Sequence, residues 1–212
     1  MAKLKESVVG VLVGKIGQVV GSTWKGISVL RVLPAKIANP KTDKQLTQRQ
    51  KWAVTMHFLQ PLSQFLELGF RSYAVGMTGI NAAMQYNIKN ALTGSWPNIA
   101  IDYPNALVAK GNLAGALNAV ASSTVAGTVK FDWDDNSGEI GASSTDKTLL
   151  VIYNPSQNQA VTVNELAERA DGTQTVTVPD SFSGDLVQCY MAFIAEDGTV
   201  SNSAFAGAVT VA

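Results

Sequence analysis

The sequence holds one cysteine, Cys189, and one histidine, His57, in 212 residues. A single cysteine excludes an internal disulfide framework and a zinc site built from cysteine pairs. A single histidine removes most histidine-based metal and triad chemistry. Long apolar runs are missing too, since no stretch reaches the roughly 18 consecutive residues that a membrane-spanning helix needs. The opening MAKLKESVVGVLVGKIGQ mimics a secretion signal with its lysines and short apolar run. Gly10 and Gly14 interrupt that run, Lys15 ends it, and no small-residue cleavage motif follows. The segment therefore reads as mature protein made in the cytoplasm, and an extracellular or virion assembly stays open as its final location.

Catalytic signatures are equally scarce. Gly10 to Ile16 resembles a phosphate-binding loop, but it has three residues between its glycines where that loop has four. It also has Ile16 where a Ser or Thr must reach magnesium. Asp132, Asp134 and Asn136 alternate as in a calcium loop, yet Ser137 stands where glycine is required and Ser143 where the closing glutamate belongs. The run reads as a turn between strands, with calcium binding as the alternative. His57, between Met56 and Phe58, reads as a structural histidine, and Cys189, inside VQCYMAF, as a small buried hydrophobe. Glu165 and Glu168 read as a solvated turn or short helix. The expectation is a protein that is not an enzyme and uses no cofactor or metal.

A hydrophobic fraction of 46% with 15% charged residues belongs to a folded chain. The formal net charge is zero, but its distribution is not even. Residues 1–110 carry 13 Lys/Arg against 4 Asp/Glu, a net +9, and residues 111–212 carry 3 against 12, a net −9. Charge asymmetry of this kind bears on association rather than on fold.

Residues 3–35 read as β structure. IGQVVGSTWKGISVLRVL is rich in β-branched residues, and Trp24-Lys25-Gly26 marks a tight turn between two strands. Glycines inside strands mark bulges or places where another backbone comes close. A helix should begin near Asp43 behind the Thr42/Gln45 capping pattern, with Leu46, Ala53, Met56 and Leu59 on one face and a kink at Pro61. A second helix fits INAAMQYNIKNALTG, where Ile80, Ala83, Met84, Ile88, Ala91 and Leu92 form a stripe that Gly94 ends. From about Trp96 short alternating runs recur between turn signals: NIAIDY, ALVAKG, TVKFDWDD, TLLVIYN, AVTVNE, TQTVTVP and the hairpin around Glu196-Asp197-Gly198. Val129, Phe131 and Trp133 share one face. Strands at this spacing indicate a β-sandwich.

Ten of the basic residues fall within the first 52 positions, opposed only by Glu6 and Asp43, with Trp24 and Trp52 among them. Two readings follow: a surface for nucleic acid or an anionic glycan, or a positive end that meets the acidic half of another copy. The second is a heterologous contact that closes into a ring or runs on as a filament. Lys15, Gly17, Gly21, Trp24, Lys25, Gly26 and Arg31 are the interface residues it selects.

GKIGQVVGSTWKGISVLRVLP followed by NPKTDKQLTQRQKW resembles the N-terminal signature of an uncharacterised family of Bacteroidota proteins of similar length. NAAMQYNIKNALTG, IDYPNALVAKGNL and WDDNSG continue that resemblance in order. The resemblance implies no activity. The Gly-Lys-x-Gly and Asn-Pro-x-Thr-x-x-Gln parts are also similar to small proteins found among phage genes, which implies an assembly component. YMAFIAEDGTVSNS is similar to the last hairpin of a fibronectin type III sandwich. The expected fold is thus α+β. A basic domain of β-hairpin plus helices (residues 1–108) precedes an acidic Ig/fibronectin III-like β-sandwich (residues 109–212). The expected partners are other copies of the chain, with nucleic acid or another polyanion as the alternative.

Overall fold

A computed structural model describes residues 2–4, 13–33, 39 and 41–212, which fall into two compact units, Met1–Thr42 and Asp43–Ala212. Among the described residues no helix is long and apolar enough to cross a membrane.

The strands described in the first unit form one antiparallel sheet. Its strands are β1 (Ala2–Leu4), β2 (Gly14–Ile16), β3 (Val19–Trp24) and β4 (Ile27–Val32), in the order β1-β4-β3-β2. Two-residue loops join β2 to β3 and β3 to β4, because Ile16 pairs with Val19 and Trp24 with Ile27. At Lys25-Gly26 both φ angles are positive, 45° and 78°, the geometry of a type I′ hairpin turn. The strand and turn expected here are present.

The second unit opens with three helices: α1 (Asp43–Leu59), α2 (Ser63–Gly69) after a 3-10 turn at Gln60–Leu62, and α3 (Gly79–Asn90). Pro61 sits in that turn, as its missing N–H requires. A side chain does cap α3, where Thr78 Oγ1 accepts from Asn81 N at 3.4 Å. The face of α1 differs from the expected one: Thr55, Phe58 and Leu59 are buried and Ala53 is exposed. The reason is that only the last part of α1 packs on the core. Gly94 lies not at a helix stop but in a hairpin of β5 (Leu92–Ser95) and β6 (Asn98–Ile101).

Seven strands follow: β7 (Leu117–Ser122), β8 (Thr128–Asp134), β9 (Lys147–Asn154), β10 (Gln159–Glu168), β11 (Thr173–Thr177), β12 (Leu186–Ile194) and β13 (Ala204–Thr210). They form a sheet of order β11-β8-β7 and another of order β10-β9-β12-β13. Val129, Phe131 and Trp133 face inward together, and Glu196-Asp197-Gly198 makes a turn closed by Ala195 N donating to Thr199 O at 2.8 Å. Glu168 ends β10 and pairs with Lys147 at 2.6 Å, so this part of the chain is strand rather than the turn or short helix expected.

β9 and β12 are buried along almost their whole length, on both faces. Leu150, Ile152, Cys189, Met191 and Phe193 join Val129, Phe131 and Val176 in a core between the two sheets. Leu149, Val151, Tyr153, Tyr190 and Ala192 instead join Phe58, Leu59, Leu62, Phe65 and Leu66 from the helices. The unit is therefore three layers, helices on sheet on sheet, with β9 and β12 in the middle. Burying one such Leu or Phe is worth about 1.5–3 kcal/mol, so neither outer layer keeps its stability without the middle one.

This layering moves the expected boundary at 108/109. Helices and sandwich share a core, and the compact units divide between Thr42 and Asp43 instead. ALVAKG, expected as a strand, is an extended strap that crosses between layers. Ser203 Oγ accepts from Val108 N (3.0 Å) and Ala109 N (3.3 Å), Asn87 Oδ1 from Leu107 N (3.0 Å), and Gly69 O from Lys110 N (2.8 Å). Gly111 ends the strap where a Cβ would fall 1.8 Å from Val200 O. Only glycine fits there.

Candidate functional site

The sequence places its candidate residues on the sheet of residues 2–33, and strand register decides which of them meet. Directly paired residues share a face, as do residues two apart along a strand. Lys15 pairs with Val20 and Val20 with Arg31, so Lys15 and Arg31 flank one valine across about 10 Å. Ser22 with Val29, and Trp24 with Ile27, continue that same face. Among the described side chains it carries two cations and one tryptophan.

The opposite face holds Gly14, Gly21 and Leu30 in one row and Ile16, Val19 and Val32 in the next, with Thr23 and Ser28 beyond. Among the described side chains this face bears no charge. Both faces leave large apolar groups in solvent: Trp24 is 52% exposed on the first, Ile16 59% and Val32 70% on the second.

The candidate residues thus split into three groups. Lys15, Trp24 and Arg31 lie on one face. Gly21 lies on the other, buried between Gly14 and Leu30. Gly17, Lys25 and Gly26 lie in the two hairpin turns, at opposite ends of the strands. A Cβ at Gly14, Gly17 or Gly26 would meet nothing within 4 Å, so close backbone approach within the chain is not why these are glycines. Their φ angles of 111°, 57° and 78° are. Of the remaining basic residues, Lys5 and Lys36 fall outside the described ones.

The charge asymmetry follows the units. Residues 1–42 carry seven Lys/Arg and one Asp/Glu, a net +6, and residues 43–212 carry nine and fifteen, a net −6.

The acidic run 131–139 is pulled three ways. Asp132 pairs with Lys130 at 2.7 Å, and the side chains of Lys130 and then Thr173 hold its carboxyl below the usual carboxylate range. Asp134 accepts from Asn118 Nδ2 at 2.7 Å. Asn136 Oδ1 accepts from the Arg169 guanidinium at 2.5 Å, so that oxygen is already engaged by a cation. No cluster of three or more His, Cys, Asp or Glu able to hold a metal occurs among the described residues.

That arginine is the main feature the sequence concealed. Arg169 is fully buried. Its Nε donates to Asp146 Oδ2 at 3.1 Å, its Nη2 lies 3.0 Å from the same oxygen, and it also donates to Ala114 O at 2.9 Å and Gly115 O at 3.3 Å. The guanidinium stacks 3.9 Å from the Phe193 ring centroid. One side chain thereby ties the segment at Ala114 and Gly115, the acidic turn and the core together. Its sequence context, AERADG, resembles any solvated turn.

His57 is exposed on α1, and its Nδ1 lies 3.3 Å from Asn158 Nδ2, while Asn158 Oδ1 accepts from the Tyr153 hydroxyl at 3.0 Å. His57 and Tyr153 border a shallow groove of about 490 Å³ walled also by Phe58, Ile101 and Tyr103. The polar atoms of His57, Asn158 and Tyr153 are engaged with one another. Cys189 is buried in the sheet-to-sheet core, and burial pushes its thiol up to about 12.

Among known proteins, the solution structure of the fn3 domain of the human collagen alpha-1(XX) chain is similar over 48% of this chain and 87% of that one. The identity is 12% and the TM-score 0.37. No curated protein matches the sequence. A family profile matches residues 11–207, nearly the whole chain, and the protein accordingly belongs to the family of unknown function DUF6266.

Proposed function

We propose that this protein is a non-enzymatic structural component whose copies associate through the sheet of residues 2–33, as in a filament or a virion-type particle. The observation that carries this reading is the exposure of Ile16, Val32 and Trp24 on the two faces of one four-stranded sheet. Burying three such side chains against another copy would contribute several kcal/mol, at about 25 cal/mol per Å² of apolar surface. The +6 and −6 units supply complementary charge for a head-to-tail contact. β2, only three residues long and at the edge of the sheet, offers backbone groups for a further strand.

We read strands β7–β13 as an Ig/fibronectin III-like sandwich. The first, second and fifth strands share one sheet and the third, fourth, sixth and seventh the other, which supports that reading. A sandwich of this class serves as a spacer in the proposed assembly.

Sedimentation velocity on the double variant Ile16→Lys, Val32→Lys tests the proposal. The native chain sediments as an oligomer or polymer and the variant as a folded monomer. An unchanged distribution in the variant rejects the uncharged face as the contact.

The second reading is a binding module for nucleic acid or an anionic glycan. The placement of Lys15, Arg31 and Trp24 on one face favours it, because aromatic rings stack on bases while cations track phosphates. A monomeric chain that binds a single-stranded oligonucleotide or heparin, with affinity falling steeply as salt rises, would replace the first reading with this one.

A further inference from the structure

A groove of about 420 Å³ on the helical layer of the second unit lies between α3 and the strap that follows β6, away from the sheet of residues 2–33 in sequence. It falls within the size range of small-molecule sites. At its side the Lys110 ammonium lies over two rings at once, 4.5 Å from the centroid of Tyr73 and 5.0 Å from that of Tyr86. Ring faces attract an ammonium but do not neutralise it. The ion pairs among the described residues involve neither Lys110 nor Lys89, the second cation lining the groove. The lining includes no Asp or Glu. Its remaining polar side chains are the amides Gln85 and Asn90.

The position of Lys110 is fixed in advance. Its own N–H donates to Gly69 O at 2.8 Å, and the strap is held on either side by Ala109 O accepting from Ser203 N at 3.0 Å and Asn202 Oδ1 from Gly111 N at 3.2 Å. α2 ends against this strap, so closely that a Cβ on Gly69 would come 2.6 Å from Val108 O. Two ammonium groups, no counter-charge and tyrosine walls on a rigid frame define what fits.

We infer that this groove binds a small anionic ring compound, with its phosphate or carboxylate on Lys110 and Lys89 and its ring against the tyrosines. The site is independent of the assembly reading.

The experiment is calorimetric titration of the full chain with phenyl phosphate, benzoate, benzyl alcohol and inorganic phosphate, with tyrosine ring signals followed by NMR. Phenyl phosphate or benzoate binds, shifts the Tyr73 and Tyr86 resonances, and identifies which anionic group is preferred, while benzyl alcohol does not bind. Lys89→Ala and Lys110→Met each weaken that binding about tenfold or more, as loss of a charged hydrogen bond requires. Lys89 is exposed, so its variant keeps the native melting temperature and carries the test if Lys110→Met fails to fold. Three results overturn the proposal: no binding of either anion at millimolar concentration, binding that Lys89→Ala leaves unchanged, or inorganic phosphate binding as tightly as phenyl phosphate.

Discussion

Replacing Arg169 with methionine keeps most of the apolar volume of the side chain and deletes its charge. The guanidinium is fully buried and the carboxylate of Asp146 is 2% exposed, so the variant leaves an ionised group in the core with Ser143 N, at 2.8 Å, as its remaining donor. It also strips Ala114 O, Gly115 O and Asn136 Oδ1 of a donor they share. Breaking a buried pair from one side costs about 3–5 kcal/mol. For a chain of this size each kcal/mol lowers the melting temperature by roughly 2–4 °C, so the expected loss is about 6–20 °C. Differential scanning calorimetry with urea denaturation of the full chain reads both quantities. The double variant Arg169→Met, Asp146→Asn removes the stranded charge and should recover part of the loss, because the two sites share their interaction. A single variant less than about 1 kcal/mol below the native protein would refute the reasoning, since that is the range of a solvent-exposed pair.

Three further outcomes follow from the same structure. Asn87→Ala should cost about 1–3 kcal/mol in urea denaturation, because Leu107 loses both a donor to its carbonyl and an acceptor for its N–H inside the core. Gly26→Val forces a β-branched residue to a φ of 78° and should disrupt the β3–β4 hairpin and abolish association, while Ser22→Ala leaves both unchanged; native-like association by the valine variant would contradict this. Burial raises the thiol of Cys189 and the phenols of Tyr103, Tyr153 and Tyr190, so the native state holds these protons more tightly than the unfolded chain. Stability from this source is complete below the unfolded values and declines as pH rises past about 8.5 for the thiol and about 10 for the phenols. Urea melts between pH 7 and 11 measure the decline, and in the same buffers a thiol reagent should label Cys189 only in denaturant.

Periodicity made some of this architecture legible and concealed the rest. Val129, Phe131 and Trp133 alternate with Lys130 and Asp132 because one face of β8 packs on the core and the other meets water. β9 and β12 lack that alternation, and the reason is structural: both of their faces are buried, one by the second sheet and one by the helices. An unbroken apolar run fits a strand of either kind, so the three-layer packing, and with it the position of the unit boundary, could not be read from TLLVIYN or VQCYMAF. The Lys25-Gly26 turn was legible because glycine after a turn residue between β-branched runs is local chemistry. Arg169, Asn87 and Lys110 were not. Their roles depend on partners 20 to 55 residues away or on rings brought together by the strap, and no local pattern records such a meeting.

The measurement that bears most directly on the account is the absolute mass of the purified, nucleic-acid-free chain in solution, by light scattering at low and at high salt. Association through the sheet of residues 2–33, assisted by oppositely charged units, predicts particles whose mass is a multiple of 22.4 kDa and falls as salt is raised. A particle of 22.4 kDa at both salts would contradict it.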